Sequence, residues 1–170
     1  MRIYNKSKKK IVALITSCSA VLLSPVAMSL FFGMFPRRTP WMFAIAPVIP
    51  VFFNQINRQF KQSIQIDCHN LFFHFCSDKA HNPPCDVKMN YADVTKLTCK
   101  GIKVVPISEM LVVETRNEKI YVDFNFEHYL ELWNEIYLKC KEQNPNIIVS
   151  NKLEKRIQSF QNKKSKTGKA

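Results

Sequence analysis

Glycine and acidic residues are both scarce in this chain of 170 residues, which holds three glycines and 13 aspartate and glutamate residues. A glycine-rich phosphate-binding loop needs several glycines at close spacing, so this class of site is excluded. The sequence also lacks HExxH, Gly-x-Ser-x-Gly and any histidine at a recognisable local spacing from a nucleophile. We therefore predict that the protein is not an enzyme, and we expect no cofactor.

Basic residues outnumber acidic ones, and the net charge is +12. The excess lies at the two ends, in residues 1–10 and 152–170, while the residues between them are close to neutral. A nucleic-acid-binding face would spread positive charge across the domain itself. The pattern therefore argues against nucleic acid as a partner and favours solvated or membrane-surface tails.

Two long uncharged runs follow the basic start. Residues 11–35 carry no charge, and about 20 apolar residues suffice for a helix to cross a bilayer. A second span is predicted at 40–57, kinked by Pro47 and Pro50, with a re-entrant or interfacial segment as the alternative. A cleaved signal peptide is the competing interpretation, but the apolar run continues well beyond the length of a normal signal core.

Lysine and arginine flank the outer ends of these spans more heavily than the short loop between them. Such a bias places the flanks in the cytoplasm. The prediction is a multi-pass protein of the bacterial inner membrane, with residues 1–10 as a basic cytoplasmic terminus, 11–57 as a transmembrane hairpin and both ends cytoplasmic. The lipid bilayer is then an integral partner.

Residues 61–125 alternate apolar and polar positions as short strands do. The stretch "EMLVVETRNEKIYVDF" is the clearest hairpin, with a polar turn near residues 116–118. Asn125 is a candidate cap for a helix that ends at "NPN", 144–146, and a second helix should start near Ser150 or Asn151. The predicted core stripe of the first helix is Phe126, Tyr129, Leu130, Trp133, Ile136, Tyr137 and Cys140.

The stretches "MNYADVTKLTCKG", "EMLVVETRNEKIYVDFNFEHYLELWNEIYLKC" and "NPN" resemble small bacterial membrane proteins that carry a pleckstrin-homology-like domain behind a two-helix hairpin. The resemblance implies an α+β domain at 61–143, a bent antiparallel barrel or sandwich capped by a helix, followed by a short basic helix and tail at 144–170. The resemblance also implies a role in binding or assembly. Phosphoinositide binding is not carried over, because the first strand loops offer few cations.

The segment "CHNLFFHFCSDKAHNPPC", residues 68–85, holds three of the six cysteines and three of the four histidines. Composition favours a metal site built from His74, Cys76, His81 and Cys85, whereas the spacing matches no zinc knuckle and favours buried sheet residues. A disulfide between Cys76 and Cys85 is geometrically possible if the residues between them form a hairpin-like loop. The predicted cytoplasmic location argues against that disulfide.

The basic ends could contact anionic inner-leaflet lipid, because each lysine or arginine beside such a surface gains about 1 kcal/mol. The second helix could lie on the leaflet as basic amphipathic helices do, and a solvated tail is the alternative. The predicted membrane-surface contacts are Lys8, Lys9, Lys10, Lys155, Arg156 and Phe160.

These observations predict a membrane-anchored, non-catalytic binding or scaffolding protein that uses an exposed strand edge or loop to hold an unidentified protein partner. One alternative is a cytoplasmic metal or thiol sensor built on the Cys/His quartet. Another is a small accessory subunit of a larger membrane complex.

Overall fold

The computed structural model describes residues 2–13, 15–16, 19, 60–76, 85–101 and 109–167. The strands are β1 Arg2–Asn5, β2 Ser63–Ile66, β3 Asn70–Cys76, β4 Cys85–Asn90, β5 Lys96–Lys100, β6 Met110–Glu114, β7 Lys119–Asp123 and β8 Ile148–Val149. A 3-10 helix spans Tyr91–Asp93, and two long helices follow, α1 at Tyr129–Gln143 and α2 at Asn151–Thr167.

The chain divides into two compact units. Residues 1–5 and 62–170 form the first, called here the main domain, which contains all of these strands and both long helices. Residues 6–61 form the second unit, in which the described residues include helical turns at 8–13.

The main domain holds two four-stranded sheets, with strand orders β1-β2-β3-β4 and β7-β6-β5-β8. Every neighbouring pair is antiparallel except β5 and β8, which run parallel. Period-two alternation places one face of most strands inside, as in β2, where Ile64 and Ile66 are buried. The hairpin predicted near residues 116–118 is confirmed as β6 and β7.

The buried core draws on both sheets and both helices. Trp133 and Leu132 of α1 and Leu153 and Ile157 of α2 are fully or almost fully buried, together with Leu97 of β5. They join the apolar sides of β2, β3 and β4 in one continuous cluster. A residue packed this way loses nearly all contact with water, so these positions dominate the stability of the domain.

β1 is held to α1 as well as to β2. The Tyr4 hydroxyl donates a 2.8 Å hydrogen bond to Oε2 of Glu135, and Arg2 lies 3.6 Å from the same oxygen. Burial, followed by the bond to Glu135, raises the pKa of Tyr4 above its ordinary value. The first residues are therefore structural, although the sequence predicts residues 1–10 to be a basic cytoplasmic terminus that is solvated or in contact with a membrane surface.

α1 begins later than predicted. Asn125 does not cap it; its backbone N–H instead donates to Oδ1 of Asp123. The Glu127 N–H donates to the Asn5 carbonyl at 2.9 Å. Two residues after Asn125, the backbone therefore still bonds to the end of β1 and has not entered the helix. The cap is His128, in the left-handed region with φ 49°. The end of the helix before 144–146 is confirmed.

α2 begins where the sequence predicts. Its first helical residue is Asn151, and the N–H of Leu153 points to both oxygens of Ser150, at 2.9 Å from the carbonyl and 3.4 Å from Oγ. Ser150 also accepts from the backbone N–H of Cys99 on β5. One serine thus caps the helix and ties it to the second sheet.

The α+β class is as predicted, but the barrel is wrong: in the part of the chain that is described, the strands form two open sheets. The 3-10 helix is the physical reason. Asn90 accepts from the Ala92 N–H at 2.9 Å and so turns the chain out of β4. β5 then pairs with β6 and β8 and not with β4.

The membrane prediction is also corrected. The predicted spans, 11–35 and 40–57, lie almost entirely outside the described residues, and those that are described contain no helix long and apolar enough to cross a bilayer. The main domain starts with a strand and not behind a helical hairpin. The predicted resemblance to hairpin-anchored pleckstrin-homology-like proteins and the multi-pass inner-membrane location are therefore wrong on this structure.

Candidate functional site

The predicted metal quartet is only partly described, because His81 lies outside the described residues. His74 and Cys76 are on β3, and Cys85 begins β4. Among residues that the structure places, no three His, Cys, Asp or Glu side chains are grouped closely enough to hold a metal ion. The structure does make Cys76 and Cys85 directly opposed residues of the β3–β4 pair.

A bulge precedes this cysteine pair. The β3–β4 register shifts between Phe73 and Cys76, and Phe75 has φ 55°, in the left-handed region that non-glycine residues rarely adopt. The Phe75 N–H donates a 2.8 Å hydrogen bond to Oδ1 of Asp86. Nδ1 of His74 lies 3.4 Å from the other oxygen of that carboxylate. Asp86 therefore holds the bulge in place.

The bond to Asp86 should be visible in a titration. The hydrogen bond from the Phe75 N–H, and secondarily the contact with His74, lower the pKa of Asp86 below the ordinary value of an aspartate. A depressed folded pKa means that the carboxylate stabilises the bulge above its unfolded pKa and ceases to do so as the pH falls through the folded one. We expect the Phe75 amide resonance to titrate with a midpoint below the ordinary pKa of an aspartate side chain. NMR of the full chain measures it; a midpoint at or above that value contradicts the prediction, and Asp86→Asn should abolish the transition.

The apolar side of α2 faces the core of the main domain. Leu153 and Ile157 are buried, and Phe160 is half-buried. Of these three residues, Phe160 was predicted as a contact of a helix lying on a lipid leaflet, with a solvated tail as the alternative. Leu153 and Ile157 are already used in packing, so the partly exposed Phe160 is the apolar side chain of this helix that could still meet a lipid surface.

The predicted cationic contacts have different surroundings. Lys155 is exposed, whereas Arg156 lies 2.9 Å from Oε2 of Glu109, a residue that is itself buried. The three lysines at 8–10 belong to the helical turns of the second unit. Contact of these residues with anionic lipid stays a prediction.

A polar cleft of about 610 Å³ lies in the main domain beside the end of β4. Its walls come from the last residues of β4, the 3-10 helix, the β6–β7 turn and Asn144 at the end of α1. This cavity, called here the polar cleft, brings together segments that are far apart in the sequence. Its size falls in the range typical of ligand sites.

Side chains that bond to the backbone shape these walls. Oγ1 of Thr115 accepts from the N–H groups of Asn117 and Glu118, at 3.4 and 3.0 Å, and so builds the β6–β7 turn. Asn144 donates from Nδ2 to the Val94 carbonyl at 2.9 Å, which ties the end of α1 to the chain after the 3-10 helix. Thr115 and Asn144 thus frame the cleft through hydrogen bonds to the backbone.

The charged side chains around the cleft balance one another. Lys88 and Arg116 supply two positive charges, and Asp93 and Glu118 supply two negative ones. All four are exposed. A ligand that carries a mixture of charged and polar groups suits this lining better than one with a single large charge.

The open edge of β4 runs beside the cleft. Among the described strands β4 pairs only with β3. The Tyr91 N–H donates to the His69 carbonyl at 3.1 Å, and facing residues of an antiparallel pair alternate, so Met89 also faces β3. The N–H and C=O of Lys88 and the N–H of Asn90 consequently point away from β3, towards the open edge.

Sequence reasoning recognised the pieces of this site but not the site. The alternation predicted for residues 61–125 fits the exposed position of Lys88, and the polar turn was predicted near residues 116–118. The missed residues are Asn90 and Asn144, which act through hydrogen bonds to the backbone. An asparagine just before a short irregular segment is a signal for such a cap, and "NYAD" carries it.

The polar cleft with its adjoining strand edge offers hydrogen-bonding groups on a rigid frame. The two hydroxyls in its lining, those of Thr95 and Thr115, donate to the Glu114 and Glu118 carbonyls. The arrangement can therefore recognise a ligand through hydrogen bonds and charge. No family model, curated protein or solved structure matches the sequence.

Proposed function

We propose that this protein is a non-catalytic binding domain that takes up an extended polypeptide segment along the open edge of β4. The observation that carries the proposal is the outward-facing backbone of Lys88 and Asn90 beside the polar cleft. A peptide that adds as a strand would exchange main-chain hydrogen bonds with this edge. Its alternate side chains would enter the cleft.

Specificity would come from the lining of the cleft. Lys88 and Arg116 can pair with acidic side chains of the peptide, and Asp93 and Glu118 with basic ones. Because these groups are exposed, each pair contributes little to affinity and mainly selects the register of the peptide. The backbone hydrogen bonds supply the affinity that does not depend on sequence.

The test begins with a phage-displayed library of random linear peptides, selected on the immobilised full chain. Affinity of a selected peptide is then measured by fluorescence anisotropy for the parent and for Lys88→Pro. Proline removes the outward N–H and places its ring against the incoming strand, but it leaves the bonds to β3 intact. We expect binding to weaken at least about tenfold, the equivalent of one hydrogen bond of 1.4 kcal/mol.

Tyr121→Pro is the matched control. β7 is the outer strand of the second sheet, and the Thr115 N–H donates to the Glu118 carbonyl at 2.9 Å. By the same alternation the N–H of Tyr121 points away from β6. This variant carries an equivalent proline on the other sheet and should keep the parent affinity.

Three results would contradict the proposal. They are a library that yields no binder, unchanged affinity in Lys88→Pro, and equal weakening by the two prolines. Amide exchange adds an independent readout, because a peptide on the β4 edge should protect the Lys88 and Asn90 amides and leave that of Tyr121 unchanged.

A further inference from the structure

Cys76 and Cys85 face each other at the end of the β3–β4 pair. Directly opposed residues of an antiparallel pair have Cα atoms about 4.5 to 5.5 Å apart. This separation falls inside the range of about 4.4 to 6.8 Å that a disulfide requires. The cytoplasmic location that disfavoured this bond was predicted from the two transmembrane spans, and the prediction of a multi-pass membrane protein is corrected above.

The bulge at Phe75 puts both thiols on the same face of the sheet. Val87 is buried, and Cys85 lies two residues before it, on the core-facing side of β4. In a regular strand Cys76 would point to the face opposite Phe73. The extra residue reverses that alternation and sets Cys76, which is buried, on the same side as Phe73.

Asp86 acts as a positioning residue for the pair. It follows Cys85 directly, and its carboxylate accepts the hydrogen bond from the Phe75 N–H that stabilises the bulge. Because that bond fixes the register, loss of the carboxylate should release Cys76 from its position opposite Cys85. The two cysteines are thus aligned by a specific contact and not merely close in the sequence.

We propose that Cys76 and Cys85 form a reversible cross-strand disulfide by exchange with a low-molecular-weight disulfide such as oxidised glutathione. The inference is independent of peptide binding. Cys85 is exposed and Cys76 is 8% exposed. The order of reaction follows from this difference in access: Cys85 meets the small disulfide, and Cys76 then resolves the adduct.

The exchange balances in atoms and electrons. The Cys85 thiolate attacks one sulfur of oxidised glutathione, forms a mixed disulfide and expels the first glutathione thiolate. The Cys76 thiolate then attacks Sγ of Cys85, closes the protein disulfide and expels the second. Two electrons pass from the protein to glutathione disulfide, and the two protons from the cysteines end on the two reduced glutathione molecules.

The experiment equilibrates the full chain in buffers of varied reduced to oxidised glutathione ratio. Samples are quenched in acid, alkylated and digested with trypsin, which cuts the unfolded chain after Lys61, Lys79 and Lys88. Mass spectrometry should detect peptide 62–79 joined to peptide 80–88. The joined species should disappear after dithiothreitol.

Cys68 provides the control, because it shares peptide 62–79 with Cys76 and is exposed. The joined species should persist in Cys68→Ser and vanish in Cys85→Ser, an exchange at an exposed position that spares the core. Asp86→Ala should lower the equilibrium constant for disulfide formation about tenfold, the effect of one lost hydrogen bond to a charged group. Glu142→Ala, which removes an exposed carboxylate from α1, should not change it.

Two outcomes would overturn the inference. One is a Cys85 that stops at the glutathione adduct at every ratio. The other is a joined species that is lost in Cys68→Ser, because the partner of Cys85 would then be the wrong cysteine.

Discussion

Replacing Trp133 with alanine should lower the free energy of unfolding of the main domain by about 3 to 5 kcal/mol, the usual cost of deleting a large buried aromatic side chain. Trp133 is 0% exposed on α1. Its ring meets that of Tyr129 edge to face, with centroids 5.3 Å apart and planes at 83°. The variant therefore loses both the burial of the indole and an aromatic contact.

Urea unfolding of the full chain, followed by circular dichroism, measures this loss. Leu138→Ala is the control, since Leu138 is on the same helix but 49% exposed. It should change the free energy of unfolding by less than about 0.5 kcal/mol. Similar midpoints for the two variants would mean that α1 does not pack through Trp133.

Replacing Leu153 with alanine should lower the free energy of unfolding by about 2 to 5 kcal/mol. Leu153 lies on α2, is 0% exposed and joins the common core. The expectation follows from packing of α2 on the domain. A basic helix that lay on a lipid surface would keep its leucine outside the protein core, and truncation would then leave protein stability in water unchanged.

The same urea titration tests this second variant. Ser159→Ala, at an exposed position of α2, is the matched control and should stay within about 0.5 kcal/mol of the parent. Phe160→Ala should fall between the two, because Phe160 is half-buried. A Leu153→Ala protein as stable as the Ser159→Ala protein would show that α2 is not part of the folded domain.

Local patterns predicted the elements whose partners are close in the sequence. The β6–β7 hairpin and the start of α2 at Asn151 were correct, because the turn residues and Ser150 act within a few positions of themselves. The helical stripe predicted Trp133, Ile136 and Cys140, all of which are buried. It missed Leu132, which lies on the same side.

Long-range pairing was not predictable in the same way. β1 pairs with β2 across residues 6–62, and nothing in "RIYN" indicates a partner so far away. The lysines that follow "RIYN" come directly before a long apolar run, and basic residues at that position are typical of the cytoplasmic flank of a transmembrane helix. Local signals therefore favoured a membrane hairpin, and tertiary pairing decided the role of the first residues.

The candidate site was only partly predictable for a related reason. Lys88 and the β6–β7 turn can be recognised from alternation and turn residues, but the cleft exists because the 3-10 helix separates β4 from β5. The alignment of Cys76 with Cys85 depends on one extra residue in β3. A one-residue shift moves side chains to the opposite face, and alternation cannot reveal it in advance.

The position of β1 has a further consequence for how the length of this chain can vary in evolution. Asn5 lies directly opposite Ser63, so the second unit, residues 6–61, is inserted between neighbouring points of the main-domain chain. The second unit is thus an insertion between two paired strands. The entropic cost of bringing the two ends of an insertion together grows only slowly with its length. We therefore expect changes in the length of the second unit to preserve the strand order of the main domain.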